Sequence, residues 1–381
     1  MRVRHLRAPL FAALFLLLLV LGRHRLPTAR ESHASDTTDP SEYSGREESD
    51  NEREGSEEDK GGEAERRGED RRRMEGSGKR QKQVVLWTGW KSGSSFMGQV
   101  LARASDATFY SYEPLHMYGV KVMHDDDDAI TRKAQTLLKD LILCRLERHV
   151  DQLFGEGKPN YPFNQNAFLH NHCRGEKNVR SASLCRNASY VSEVCRSADM
   201  NVIKVLRLSL KFARPLLRDD DLDVQVIYLV RDPRAVLSSR STSPWCRSAC
   251  RDPEAICSFL EEDLKQASLL SKEYPTRFKM ILYDEVCDDG FAALLDVMAF
   301  LGLPVTTKQE RLLPSKRNLS EVEGNVSRAE IWRVTASFGQ IVQPIQRFCH
   351  SSLERLGLRV FASNEELRDL SRPVLLRPPG I

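Results

Sequence analysis

Trp87-Thr88-Gly89-Trp90-Lys91-Ser92-Gly93-Ser94-Ser95-Phe96 directly follows an apolar run at residues 84–86. A short buried strand, then glycines and hydroxyls around one lysine, then a helical pattern from Phe96 onward is the layout of an anion cradle. Backbone N–H groups at a helix N-terminus point at the bound anion, and the positive end of the helix dipole favours it. Lys91 adds a full charge. A nucleotide-Mg²⁺ loop reads G-x-x-x-x-G-K-[ST], with the last hydroxyl on the metal. Here the lysine precedes Ser92-Gly93-Ser94-Ser95, out of register for that chemistry. The expected ligand is therefore an anion held by protein groups alone, without metal.

Outward from this loop, further apolar runs at residues 202–206, 224–230 and 278–283 read as buried strands. Between them lie helical patterns at 96–104, 132–154, 234–239, 253–273, 291–301 and 340–356. Strands alternating with helices predict an α/β fold with a mostly parallel central sheet flanked by helices. Ligands of such sheets bind at the carboxyl ends of the strands, which is where the Lys91 loop falls. Residues 160–199 lack clear periodicity and read as a glycosylated, disulfide-tied insertion.

The strongest strand runs into a second motif, Val226-Ile227-Tyr228-Leu229-Val230-Arg231-Asp232-Pro233-Arg234-Ala235-Val236-Leu237-Ser238-Ser239-Arg240. Asp232 suits an N-cap and Pro233 the first helical turn. Arg231 and Ser239 stand about two turns apart, close enough to grip one phosphate. A second reading stands beside this one, with Arg231-Asp232 as a structural ion pair and the serines merely exposed.

The 381 residues hold 57 Lys+Arg against 54 Asp+Glu, a near balance that argues against nucleic acid as a partner. Residues 8–22 are uninterruptedly apolar, with Arg2, Arg4 and Arg7 before them and Arg23, His24 and Arg25 after. No small-x-small cleavage site follows, so a short uncleaved signal-anchor with a cytosolic tail at 1–7 is expected rather than a cleaved signal peptide. Residues 23–82 read as a disordered charged stem: between 44 and 83 only Ala64 and Met74 are apolar. The domain proper is 83–381. Three sequons, at Asn187, Asn318 and Asn325, and nine cysteines agree with a lumenal, oxidising location. Most cysteines should be paired, with at least one left over. Metal ligation is the rival reading for Cys246, Cys250 and Cys257, and for His170, His172 and Cys173, but neither set has the spacing of a closed site.

Together the two loops resemble those of the Golgi carbohydrate 6-O-sulfotransferases acting on galactose, N-acetylglucosamine or N-acetylgalactosamine. In that family the first loop reads R-[ST]-G-S-S-F and the second L-V-R-D-P-R-A-V-x-x-S-R. Lys91 replaces the first arginine; residues 229–240 match the second motif without a break. Phe109-Tyr110-Ser111-Tyr112-Glu113-Pro114-Leu115 is similar to the family's F-Y-x-x-E-P-L, and Arg317-Asn318 with Ile331-Trp332-Arg333 to a C-terminal segment that closes over the nucleotide.

The resemblance implies a P-loop-like sulfotransferase fold and in-line sulfuryl transfer from 3′-phosphoadenosine-5′-phosphosulfate (PAPS) to a sugar 6-hydroxyl, in a type II Golgi membrane protein. It assigns Lys91, Ser92, Gly93, Ser94, Ser95, Phe96 and Met97 to the 5′-phosphosulfate and Arg231, Arg234, Ser238 and Ser239 to the 3′-phosphate. Lys91 stabilises the leaving oxygen, and Glu113 is the expected base with His116 as runner-up. Lys204 and Arg207 either meet an acidic substrate or pair with carboxylates of the domain; Trp332 either stacks near the nucleotide or fills the core. Acceptor choice is expected from 160–199 and 242–252. A homodimer, a glycan-binding protein without activity, and a protein-tyrosine sulfotransferase remain open alternatives.

Overall fold

The computed structural model describes residues 80–154, 161–174, 181, 183–312 and 327–376. The expected anchor (8–22), almost all of the stem, and the Asn318 and Asn325 sequons lie outside these residues. No described helix is long and apolar enough to cross a membrane.

Five strands form one sheet: β1 (Lys82–Thr88), β2 (Thr108–Tyr112), β3 (Met200–Val205), β4 (Val224–Val230) and β5 (Phe278–Leu282). Their order is β2-β3-β1-β4-β5 and every pairing is parallel. In the register, Leu86 of β1 stands between Lys204 of β3 and Ile227 of β4. The sheet is buried on both faces, as a parallel sheet requires. Val85 and Trp87 of β1 face one apolar core, while Val84 and Leu86 face the other. In β4 the same alternation places Val226, Tyr228 and Val230 opposite Ile227 and Leu229. The four strands expected from apolar runs are present. β2 is an addition: Thr108, Ser111 and the two tyrosines interrupt its apolar pattern, yet all but Tyr112 are fully buried.

The larger helices are α1 (Ser94–Leu101), α2 (Ala129–Ile142), α3 (Ala188–Ser197), α4 (Pro233–Ser241), α5 (Pro253–Glu273) and α6 (Gly290–Phe300). The sequence signals fix several ends. Asp128 accepts from the N–H groups of Ile130 and Thr131 to start α2; Asp252 caps α5; Asp232 caps α4 with Pro233 in its first turn.

Two predicted long helices are broken, each at a cysteine. The pattern at 132–154 stops at Ile142 because Cys144 takes a left-handed φ of 53° and is bonded to Cys195 on α3. The pattern at 340–356 divides into Phe338–Val342, Gln343–Phe348 and His350–Arg355, with Cys349 at the last junction tied to Cys257 of α5. The cross-links hold these points to neighbouring elements and override the local periodicity.

The reading of 160–199 as an insertion needs correction. Phe163, Leu169, Val191 and Val194 lie in the larger core, and the side chain of Gln81 bonds the carbonyls of Cys195 and Ala198. The segment is part of the domain's packing. Its disulfide tie is as expected: besides Cys144–Cys195 and Cys257–Cys349, the pairs are Cys173–Cys185 and Cys246–Cys250. Cys287 is left over, buried and unpaired.

Candidate active site

The loop between β1 and α1 and the loop between β4 and α4 leave adjacent strands at their carboxyl ends. Lys91 and Gly93 both take left-handed conformations, with φ of 69° and 84°. Gly93 caps α1, and the close approach there excludes a side chain: a Cβ would stand 2.1 Å from the ring of Tyr283, the first residue after β5. Arg231 ties the two loops. Its NH1 donates to the Lys91 carbonyl at 3.0 Å, its NH2 to the Arg328 carbonyl at 3.2 Å, and its guanidinium lies 5.0 Å from the Tyr283 ring centre. The Nε of Arg231 is buried without a hydrogen-bond partner, a donor suited to an incoming phosphate oxygen.

These groups open onto a cleft of about 630 Å³, lined by Lys91, Gly93, Ser94, Ser95, Phe96, Arg231 and Ser239. The β1–α1 and β4–α4 loops therefore meet in one space. Glu113 lines the same cleft, at the end of β2. Its carboxylate accepts from Lys204 Nζ at 3.0 Å and from Arg207 NH1 at 3.2 Å, all three side chains nearly buried. Burial pushes the Glu113 carboxyl up, but the charges and hydrogen bonds of Lys204 and then Arg207 outweigh it and hold it below the usual range. Burial pulls the Lys204 ammonium down, although Glu113 opposes it. Of the two readings of Lys204 and Arg207, the structure shows the carboxylate pairing.

Lys91, Glu113 and Arg207 have positive φ values of 69°, 47° and 81°, so three of the five non-glycine residues in that region among those described line this one cleft. Each costs on the order of 1 kcal/mol, a cost that concentrates where side chains must be aimed against local preference.

Not every expected residue arrives. Ser92 faces a second, mostly apolar cavity of about 240 Å³ behind Trp90. Met97 is buried in a core cluster. Arg234 is wholly buried, bonded to Asp232, Gln346 and the Arg359 carbonyl and stacked on Trp332 at 4.7 Å. It anchors α4 rather than reaching the cleft, and Trp332 fills the core against Phe361. Ser238 is half-buried and its carbonyl accepts from Ser241 Oγ. His116 packs against Tyr161, with ring centres 4.4 Å apart and planes tilted by 41°, and stands outside the cleft lining.

Sequence reasoning assigned no role to Tyr283, Tyr112, Tyr161 or Trp245, which all line the cleft. Tyr112 and Tyr283 sit at strand ends, so the carboxyl-end rule was a usable signal for them. Nothing local marks Tyr161 or Trp245. Cys246 and Cys250 bond each other and Cys173 bonds Cys185, which removes them as ligands; among the described residues no cluster of three or more metal-ligating side chains occurs.

A sequence model of the family described as "Sulfotransferase domain" matches residues 81–327, more than half of the chain. The chain belongs to the sulfotransferase family. It is similar to carbohydrate sulfotransferase 5 of Mus musculus, at 26% identity over 80% of this chain and 87% of the relative. It is likewise similar to carbohydrate sulfotransferase 2 of Homo sapiens, at 27% identity over 80% of this chain and 70% of the relative. Among solved structures it is similar to a sulfotransferase domain from the Synechococcus PCC 7002 olefin synthase (15% identity, TM-score 0.40, 72% of this chain and 95% of that one). A retinol dehydratase in complex with androsterone and inactive cofactor PAP gives 13% identity and a TM-score of 0.39 over 73% of this chain and 82% of that one. This sulfotransferase is a PAPS-dependent enzyme.

Proposed function

We propose that the enzyme transfers the sulfuryl group of PAPS to the 6-hydroxyl of a galactose, N-acetylglucosamine or N-acetylgalactosamine residue in a glycan. The observation that supports this best is the meeting of both phosphate loops with a buried, ionised carboxylate in one cleft. In the reaction a bond forms between the acceptor oxygen and sulfur while the bond from sulfur to the bridging oxygen breaks. Glu113 takes the hydroxyl proton. Lys91 neutralises the charge that collects on the departing bridging oxygen of adenosine 3′,5′-bisphosphate (PAP). The α1 N-terminus with Gly93, Ser94 and Ser95 holds the 5′-phosphosulfate, and Arg231 with Ser239 holds the 3′-phosphate. As in phosphoryl transfer, positioning and charge stabilisation supply most of the rate.

Four disulfides favour an oxidising compartment. With residues 8–22 as a signal-anchor, the enzyme is a type II Golgi membrane protein with its catalytic domain in the lumen. Incubation with labelled PAPS and a glycan panel, followed by linkage analysis of the product, tests the reading. Transfer to a sugar C6 is expected, and Lys91→Ala and Arg231→Ala should each lower kcat/KM at least about 100-fold. No transfer to any glycan despite measurable PAP binding, or full activity in either variant, refutes it.

A further inference from the structure

Two buried carboxyls stand behind the β4–α4 loop. Asp232 follows Arg231 in the chain, is wholly buried, and pairs with the Arg234 guanidinium at 2.7 Å. Asp284, the second residue after β5, is 9% exposed, and its Oδ2 accepts the backbone N–H of Asp232 at 3.3 Å. The residue next to Arg231 is thus held from the neighbouring strand, since β4 and β5 lie side by side.

The two carboxyls are not equally provided for. Asp232 accepts from the backbone N–H, Nε and NH2 of Arg234. The Oδ1 of Asp284 is buried and has no hydrogen-bond partner among the described residues. The charged and titratable groups around Asp284 are Asp232 and Arg231 from the loop, and Tyr283 and Cys287 from its own short helix, Tyr283–Asp288; Arg328 acts on the latter two. Glu285 answers instead to Asp296 of α6 and Lys279 of β5. Burial, and then the charge of Asp232, push the Asp284 carboxyl up, while Arg231 pulls against them.

Arg231 is claimed from the cleft side as well. NH1 and NH2 are taken by the Lys91 and Arg328 carbonyls, and the buried Nε is left for a phosphate oxygen. A 3′-phosphate brings close to two negative charges at neutral pH. It draws on the same cation that favours an ionised Asp284, and it repels that carboxylate through a poorly screened interior. A protonated Asp284 meets no such repulsion and leaves the bond to the Asp232 N–H in place.

We propose that Asp284 is a positioning residue for the donor: it steadies the Arg231 loop through the Asp232 N–H, takes up a proton from solvent when the 3′-phosphate seats on Arg231, and returns it when PAP leaves. This rests on the reading of Arg231 as the 3′-phosphate grip and couples that grip to pH.

The test titrates PAP, and adenosine 5′-phosphate as the analogue without a 3′-phosphate, into the wild-type enzyme and Asp284→Asn between about pH 5.5 and 8.5. Asparagine keeps the shape and an acceptor for the Asp232 N–H but carries no charge, as the protonated carboxyl does. The phosphates themselves titrate near pH 6, so the quantity read is the ratio of wild-type to variant Kd at each pH. For PAP the ratio should be near one at the acid end and climb to about tenfold at the alkaline end. For adenosine 5′-phosphate it should stay flat. Asp284→Ala, which loses the acceptor too, should weaken PAP about tenfold at the acid end, where Asp284→Asn binds like wild type. A flat ratio for PAP while Arg231→Ala still weakens PAP overturns the inference and leaves the 3′-phosphate grip standing. So does an equal climb with adenosine 5′-phosphate, or an alanine variant that matches wild type in acid. Arg231→Ala with unchanged PAP affinity overturns the grip and the inference together.

Discussion

Glu113→Gln separates the base role proposed for this carboxylate from its pairing with Lys204 and Arg207. The substitution keeps the shape and one acceptor oxygen but removes the charge, and it turns an amide N–H₂ toward either Lys204 Nζ or Arg207 NH1. These donors now stand 3.0 and 3.2 Å from the carboxylate oxygens, and the two side chains carrying them are only 1% and 8% exposed. Leaving buried cations without their counter-ion costs on the order of 3–5 kcal/mol, a large fraction of a domain's stability. The chemical loss is separate: without a base, kcat should fall about 10²–10⁴-fold. Denaturant unfolding reads the first effect and single-turnover transfer from PAPS, at a temperature where the variant is folded and binds PAP, reads the second. Glu113→Gln/Lys204→Met replaces one stranded cation with an apolar chain of similar length. It should recover much of the stability and none of the rate. A single variant that keeps more than about a tenth of kcat, or a double variant that recovers both quantities, refutes the assignment of Glu113 as base. The pH profile gives an independent check. Because Lys204 and Arg207 hold the carboxyl below the usual glutamate range, the acid limb of kcat/KM belongs below that range too. A limb governed by a group titrating near neutrality would point to His116 instead.

Gly93→Ala should be nearly inactive although the change is one methyl group. The left-handed φ of 84° costs about 1 kcal/mol for alanine, and the Cβ would lie 2.1 Å from the Tyr283 ring, so loop or ring must shift by about 1 Å. Displacement on that scale lowers kcat/KM about 100-fold, and steady-state kinetics with wild-type values would show the loop to be more tolerant than its geometry. Stability should fall as pH rises from about 5 to 8. Asp263, against the small cavity behind Trp90, is pushed up to about 7 by burial, despite bonds from the Leu210 N–H and Ser209 Oγ; Asp284 is also raised, by burial and then by Asp232. A carboxyl with a raised folded pKa stabilises below its unfolded value and loses that contribution as pH climbs through the folded one. Paired carboxylates such as Glu113 act in the opposite sense, but only at lower pH. Asp263→Asn should flatten the slope and raise Tm at pH 8; a Tm that rises with pH across this window would count against the burial argument.

The sequence by itself determined four of the five strands and the two loops that follow β1 and β4, because each is written in local chemistry. Apolar runs long enough to cross a buried sheet can go nowhere else, and Gly93 and the Asp232-Pro233 pair mark a strand-to-helix turn wherever the chain places them. It also marked Glu113 through the motif around it. The sequence could not show that Arg234, one residue from the Asp-Pro turn, points into the core while Arg231 points into the cleft. That depends on the direction in which α4 leaves β4 and on the Gln346 and Arg359 contacts that receive the guanidinium. Nor could it show that Lys204 of β3 and Arg207, just beyond the end of that strand, clamp Glu113, 91 and 94 positions away in the chain. The parallel pairing of β2 with β3 sets Tyr112 opposite Lys204 and brings the acid and its cations together. Tyr161 and Trp245 reach the cleft from segments without periodicity, where no local preference aims a side chain. Those positions were decided by packing and by the disulfides, and they line the same cleft as the two loops.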